Sequence, residues 1–110
     1  MDAVTPSDVL KLAERYRALG LPAAARGALL GLVDTSISSR AHLALAELDL
    51  EAGDLVGGAE HVARALPLAQ PEDRCRGRLL AAEIALASGD LGGADKHLDA
   101  LLAETAMPAT

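Results

Sequence analysis

A chain of 110 residues and 11.2 kDa has room for one domain and not for two. Its 51% hydrophobic content includes a single aromatic residue, Tyr16, and comes mostly from 24 Ala and 21 Leu; that mixture favours helix over strand and buries enough surface to exclude an all-β fold and a disordered one. With 10 Lys and Arg against 16 Asp and Glu the formal charge is -6, and no basic run supplies the clustered positive charge that nucleic acid requires.

Thr5-Pro6-Ser7-Asp8 supplies a capping hydroxyl, a first-turn proline and an acid three places after the cap, which predicts a helix from about Pro6 to Leu19. Gly20-Leu21-Pro22 ends it and opens a second helix, Pro22 to about Val33. The hydroxyl-rich stretch Asp34 to Ser39 is expected to be a loop that caps a third, about Ser38 to Ala52. Gly53-Asp54-Leu55 leads into a fourth helix, Leu55 to about Leu66, where Pro67 marks its end. Gln70-Pro71-Glu72-Asp73 starts a fifth, to about Ser88, and Gly89-Asp90-Leu91 turns into a sixth, Leu91 to about Glu104. Met107 to Thr110 is expected to be a frayed tail. Gly20, Gly53 and Gly89 lie 33 and 36 residues apart. Each follows an apolar-periodic segment and suits the left-handed position just past a helix end, with Pro22, Asp54 and Asp90 starting the helix that follows.

The three helix pairs share their apolar spacing. Val9, Leu12, Ala13 and Tyr16 form one stripe; His42, Leu45, Ala46 and Asp49 hold the same places in the second pair, and Arg78, Ala81, Ala82 and Ala85 in the third. Ala25, Gly58 (or its neighbour Ala59) and Ala94 follow at matched positions, and Leu29, Val62 and Leu98 come one turn later. Small residues at these places let two helix backbones approach, and the larger ones fill the gap beside them.

On these residues the chain resembles the tetratricopeptide repeat family, whose unit is a helix-turn-helix of about 34 residues. Val9, Leu12, Ala13, Tyr16, Ala25 and Leu29 match its pattern best; His42 and Asp49, and then Arg78, Ala81 and Ala85, depart from it where the family has large residues. The resemblance implies an all-α, right-handed α-solenoid of about three such repeats and six helices. A single domain would span 1–110, with repeats at about 6–37, 38–70 and 71–105 and a tail at 106–110. It also implies a concave groove lined by the first helix of each pair. Carried across, the groove takes Ser7, Leu10, Glu14 and Arg17, then Arg40, Leu43, Glu47 and Leu50, then Arg76, Leu79, Glu83 and Leu86. A row of Leu beside a row of Glu suits a partner protein segment with apolar anchors and a Lys or Arg, bound as a helix or an extended strand. The alternative is a solvated face of Glu and Arg. The sixth helix has no successor to cover Leu98, Leu101 and Leu102, which makes a homo-oligomer through the terminal repeat the second expectation.

No constellation for catalysis emerges. Ser36, Ser38 and Ser39 have no nearby His in sequence, and Gly57-Gly58 and Gly92-Gly93 do not form a phosphate-loop pattern. The three His and one Cys show no metal-ligand spacing, so no cofactor or metal is expected. His61 and His97 occupy equivalent places and are expected to sit partly exposed on polar faces. Cys75 among Arg74, Arg76 and Arg78 is expected to be a small residue at a helix start, with a reactive thiol as the alternative. A lone Cys, an N-terminus without a basic, apolar leader and the lack of an 18-residue apolar run imply a soluble cytoplasmic protein with no membrane role.

Overall fold

A computed structural model describes residues 4–106, so the expected tail at 107–110 lies outside the described residues. Six helices and no strand occur among them: α1 (Pro6–Ala18), α2 (Pro22–Leu30), α3 (Ser38–Ala52), α4 (Leu55–Ala65), α5 (Pro71–Ala87) and α6 (Leu91–Ala106), with a 3-10 turn over Leu66–Leu68 between α4 and α5. Among the described residues no helix is long and apolar enough to cross a membrane.

The helix ends follow from local chemistry. Thr5 and Asp8 close a reciprocal capping box at the start of α1, each side chain accepting from the other's backbone N–H. Asp54 and Asp90 accept from Gly57 N and Gly93 N at 3.0 and 2.9 Å and cap α4 and α6. The glycines in those first turns make the caps possible, because a Cβ on Gly57 or Gly93 would run into the capping carboxylate. Gly20, Gly53 and Gly89 take positive φ of 76°, 82° and 82°, which gives the chain three tight reversals.

Two boundaries differ from the sequence expectation. The second helix stops at Leu30 rather than near Val33; from Gly31 the chain passes into tight turns in which Leu32 N donates to Leu29 O and Thr35 N to Leu32 O. The serine stretch does not cap α3, whose N-cap is Ile37 with no side-chain bond. Thr35 instead ties the turn by donating to Leu32 O and accepting from Ile37 N. Ser39 lies inside the helix and donates to Ala65 O.

Each helix packs on the next in chain order, most extensively within α1/α2, α3/α4 and α5/α6, and α3 also meets α5. The molecule measures 48 × 38 × 22 Å, and 22 Å is about two helix diameters. Two core clusters result. One joins Ala13, Ala25, Leu29 and Leu32 to Ala41, Leu45 and Leu48; the other joins Leu43 and Ala46 to Val62, Ala65, Leu80, Ala81 and Ile84. Both draw on α3, which is therefore covered on two sides. At the matched small positions Ala25, Gly58 and Ala94 are all buried, whereas Ala59 is exposed. Gly58 thus makes the contact: a Cβ there would stand 3.0 Å from Ile84 Cδ1 and 3.5 Å from Ala46 O.

Gly27 in α2 and Gly53 after α3 both have open space around the position of a Cβ, so backbone conformation alone separates them. In urea or thermal unfolding, Gly27→Ala is expected to stabilise by about 0.5–1 kcal/mol, through helix propensity and a restricted unfolded chain. Gly53→Ala is expected to destabilise by about 1–2 kcal/mol, because its φ of 82° is left-handed.

Candidate functional site on α1, α3 and α5

Ion pairs join the odd-numbered helices across one face. Arg17 of α1 reaches Glu47 of α3 at 2.5 Å and also engages Glu51; Arg76 of α5 engages Glu47 from the other side. Arg40 Nε donates to Asp73 Oδ2 at 3.1 Å, again from α3 to α5. The bonds to Glu51 and Glu47 raise the Arg17 guanidinium pKa further above its ordinary value, against its partial burial.

The Arg17–Glu47–Arg76 bridge lies between two hollows. The first, of about 360 Å3, has an apolar lining of Leu10, Ala13, Ala25, Leu29, Ala44 and Leu48, with Glu14, Arg17, Arg40, Asp73 and Arg76 around them. The second, of about 340 Å3, is lined by Leu50, Leu79 and Leu80 with Arg17, Glu47, Glu51, Arg76 and Glu83. The expected groove residues therefore divide. Leu10, Glu14 and Arg40 belong to the first hollow, Glu47, Leu50, Leu79 and Glu83 to the second, and Arg17 and Arg76 to both. Leu43 is a correction: at 0% exposure it is core, packed beside Gly77 of α5, because α5 lies directly over that side of α3. Leu86 is 54% exposed and lines neither hollow. Nor do the glutamates form a uniform row. Glu47 is bridged by two arginines, whereas Glu14 and Glu83 are exposed and have no ion-pair partner among the described residues.

Behind this face lies a polar cluster that sequence reasoning missed. Asp49, whose side chain is 3% exposed, pairs with Arg26 of α2 at 2.5 Å, and its other oxygen stands 3.7 Å from Nε2 of His61 on α4. Nδ1 of His61 is 3.0 Å from Nδ1 of His42, which is itself buried on α3. His61 is thus an interface residue rather than a polar-face one. The available signal was the placing of His42 and Asp49 in an otherwise apolar contact stripe, where each needs a partner from a neighbouring helix. His97 is half-buried, with an Nδ1 that has no hydrogen-bond partner among the described residues, and Cys75 is a half-buried free thiol. Among the described residues no group of three or more His, Cys, Asp or Glu is placed to hold a metal ion.

The arrangement defines an all-α protein with a charged, partly apolar face over an apolar core that holds one buried polar cluster. No family model, curated protein or solved structure matches the chain.

The two sets of ion pairs differ in burial, and so in worth. Arg26→Ala leaves the Asp49 carboxylate buried without its main partner and is expected to cost about 2–3 kcal/mol. Glu47→Gln on the open face is expected to cost less than about 1 kcal/mol. Chemical denaturation of both variants checks the order, and a larger loss in Glu47→Gln contradicts it.

Proposed function

We propose that this protein is a non-catalytic protein-interaction module, an adaptor or dedicated chaperone, built as a right-handed solenoid of three tetratricopeptide-like repeats. Its face on α1, α3 and α5 binds a partner segment with apolar anchors and a Lys or Arg. The reading is supported by the three left-handed glycines at matched spacing, by packing in chain order and by the two hollows. One observation carries the choice of partner. The three arginines on the face are already engaged by Glu47, Glu51 and Asp73, so Glu14 and Glu83 remain to attract a cation beside exposed Leu79. A chain without Phe or Trp offers a partner's large side chain room that its own residues do not fill.

A displayed peptide library selected on the purified protein tests this. The expected consensus places Lys or Arg near a large apolar residue. Glu14→Lys with Glu83→Lys, or Leu79→Asp, should weaken the selected peptides at least about tenfold, while circular dichroism stays that of a folded helical protein. Peptides that bind these folded variants unchanged, or a selection without that consensus, would refute the reading.

A second reading rests on α6, which packs chiefly on α5 and leaves Leu91, Leu98 and Leu102 exposed, with Leu101 half-buried. It is self-association through this end of the molecule. Sedimentation over a hundredfold concentration range should then show mass rising with concentration and falling back in Leu98→Glu; a constant monomer mass would dismiss it.

A further inference from the structure

We propose that His42 and His61 form a proton-operated latch between α3 and α4, closed while the pair carries at most one extra proton and opened by a second. The geometry sets the rule. Two like nitrogens 3.0 Å apart can bond only if one carries a hydrogen and the other a lone pair. Asp49 facing Nε2 of His61 places the neutral ring's hydrogen there and leaves His61 Nδ1 as the acceptor, so His42 Nδ1 is the donor. A first added proton is accommodated: with both nitrogens of one ring protonated, the other ring carries its hydrogen on Nε2 and accepts at Nδ1, so one N–H···N bond remains. A second proton leaves an N–H on both Nδ1 atoms, pointing at one another between two cations, and the contact cannot survive.

The surroundings leave that second charge little compensation. His42 is 7% exposed. The charged groups facing it are Asp34 from the turn before α3 and, from α4, His61 and Arg64. Beyond His61 stand Asp49 and Arg26, already paired with each other. The charges that α1 and α5 bring to α3 are engaged elsewhere, Arg17 and Arg76 by Glu47 and Asp73 by Arg40. Two acids thus balance two arginines around a neutral pair, and a doubly protonated pair adds two positive charges without new acids. Burial first, then His61 and Arg64, hold His42 below the ordinary histidine pKa, against the pull of Asp34. The unfolded chain therefore binds more protons than the native one once pH falls below about 6.5, so stability declines on acidification from that point. Release of α4 would uncover Val62 and Ala65, part of the second core cluster.

Urea unfolding of the whole chain at pH 7.5, 6.5, 5.5 and 5.0 tests the latch. The unfolding equilibrium constant should rise with acidification by up to about tenfold per pH unit for each extra proton taken up. His42→Gln and His61→Gln should each flatten that dependence by about one proton. Equal slopes in the wild type and both variants would overturn the proposal. Should the variants fail to fold, long-range 15N–1H spectra of the wild type decide: an Nδ1–H tautomer for His42 opposite an Nε2–H tautomer for His61 at pH 7.5 supports the latch. Two Nε2–H rings that titrate independently would overturn it.

Discussion

A helix covered on two sides must find a partner for every polar group it carries, and α3 is such a helix. Its residues enter both core clusters, yet Asp49 and His42 lie among its buried positions. A buried carboxylate without a counter-charge costs several kcal/mol. The placing of α2 and α4 around α3 answers that requirement through Arg26 and His61. The rest of the structure is arranged on this central helix: α1 reaches it by ion pairs, α2 and α4 by polar cluster and core, and α5 by direct packing.

The composition explains why polar contacts carry so much of the specificity. Helices that meet through Ala13, Ala25, Ala41, Ala46, Ala65, Ala81, Ala82 and Ala94 come close and bury little area at each contact. Small side chains also discriminate weakly between neighbouring registers, because few large knobs lock into holes. Directional bonds such as Arg26–Asp49, Ser39 to the Ala65 carbonyl and the facing imidazoles add register that packing leaves loose.

The inner and outer charges differ in consequence. Ion pairs on the α1, α3 and α5 face join side chains that are partly in water, where each contributes little, weakens with salt and can be exchanged for a partner's charge. The Asp49 pair lies where exchange would strand a charge. A protein built this way has an adaptable surface over an interior that tolerates little change. The Arg17–Glu47–Arg76 bridge belongs to the adaptable part, between the two hollows to which the proposed partner segment is assigned.

What the sequence determined by itself is local: six helices, the capping box at Thr5 and Asp8, the aspartate caps, the left-handed glycines and the small contact residues. Each depends on interactions within a few residues along the chain, so spacing and side-chain type suffice. What only the tertiary structure decided is which face of each helix is covered. Leu10, Leu43 and Leu79 hold matched places, yet Leu10 and Leu79 line separate hollows and Leu43 is core, because α3 has neighbours on both sides while α1 and α5 stand on its flanks. Glu14, Glu47 and Glu83 match as well, and only Glu47 lies within reach of arginines from two helices. The same holds for His42, His61, Asp49 and Arg26. They come from three helices, and their meeting depends on long-range packing that no local spacing encodes.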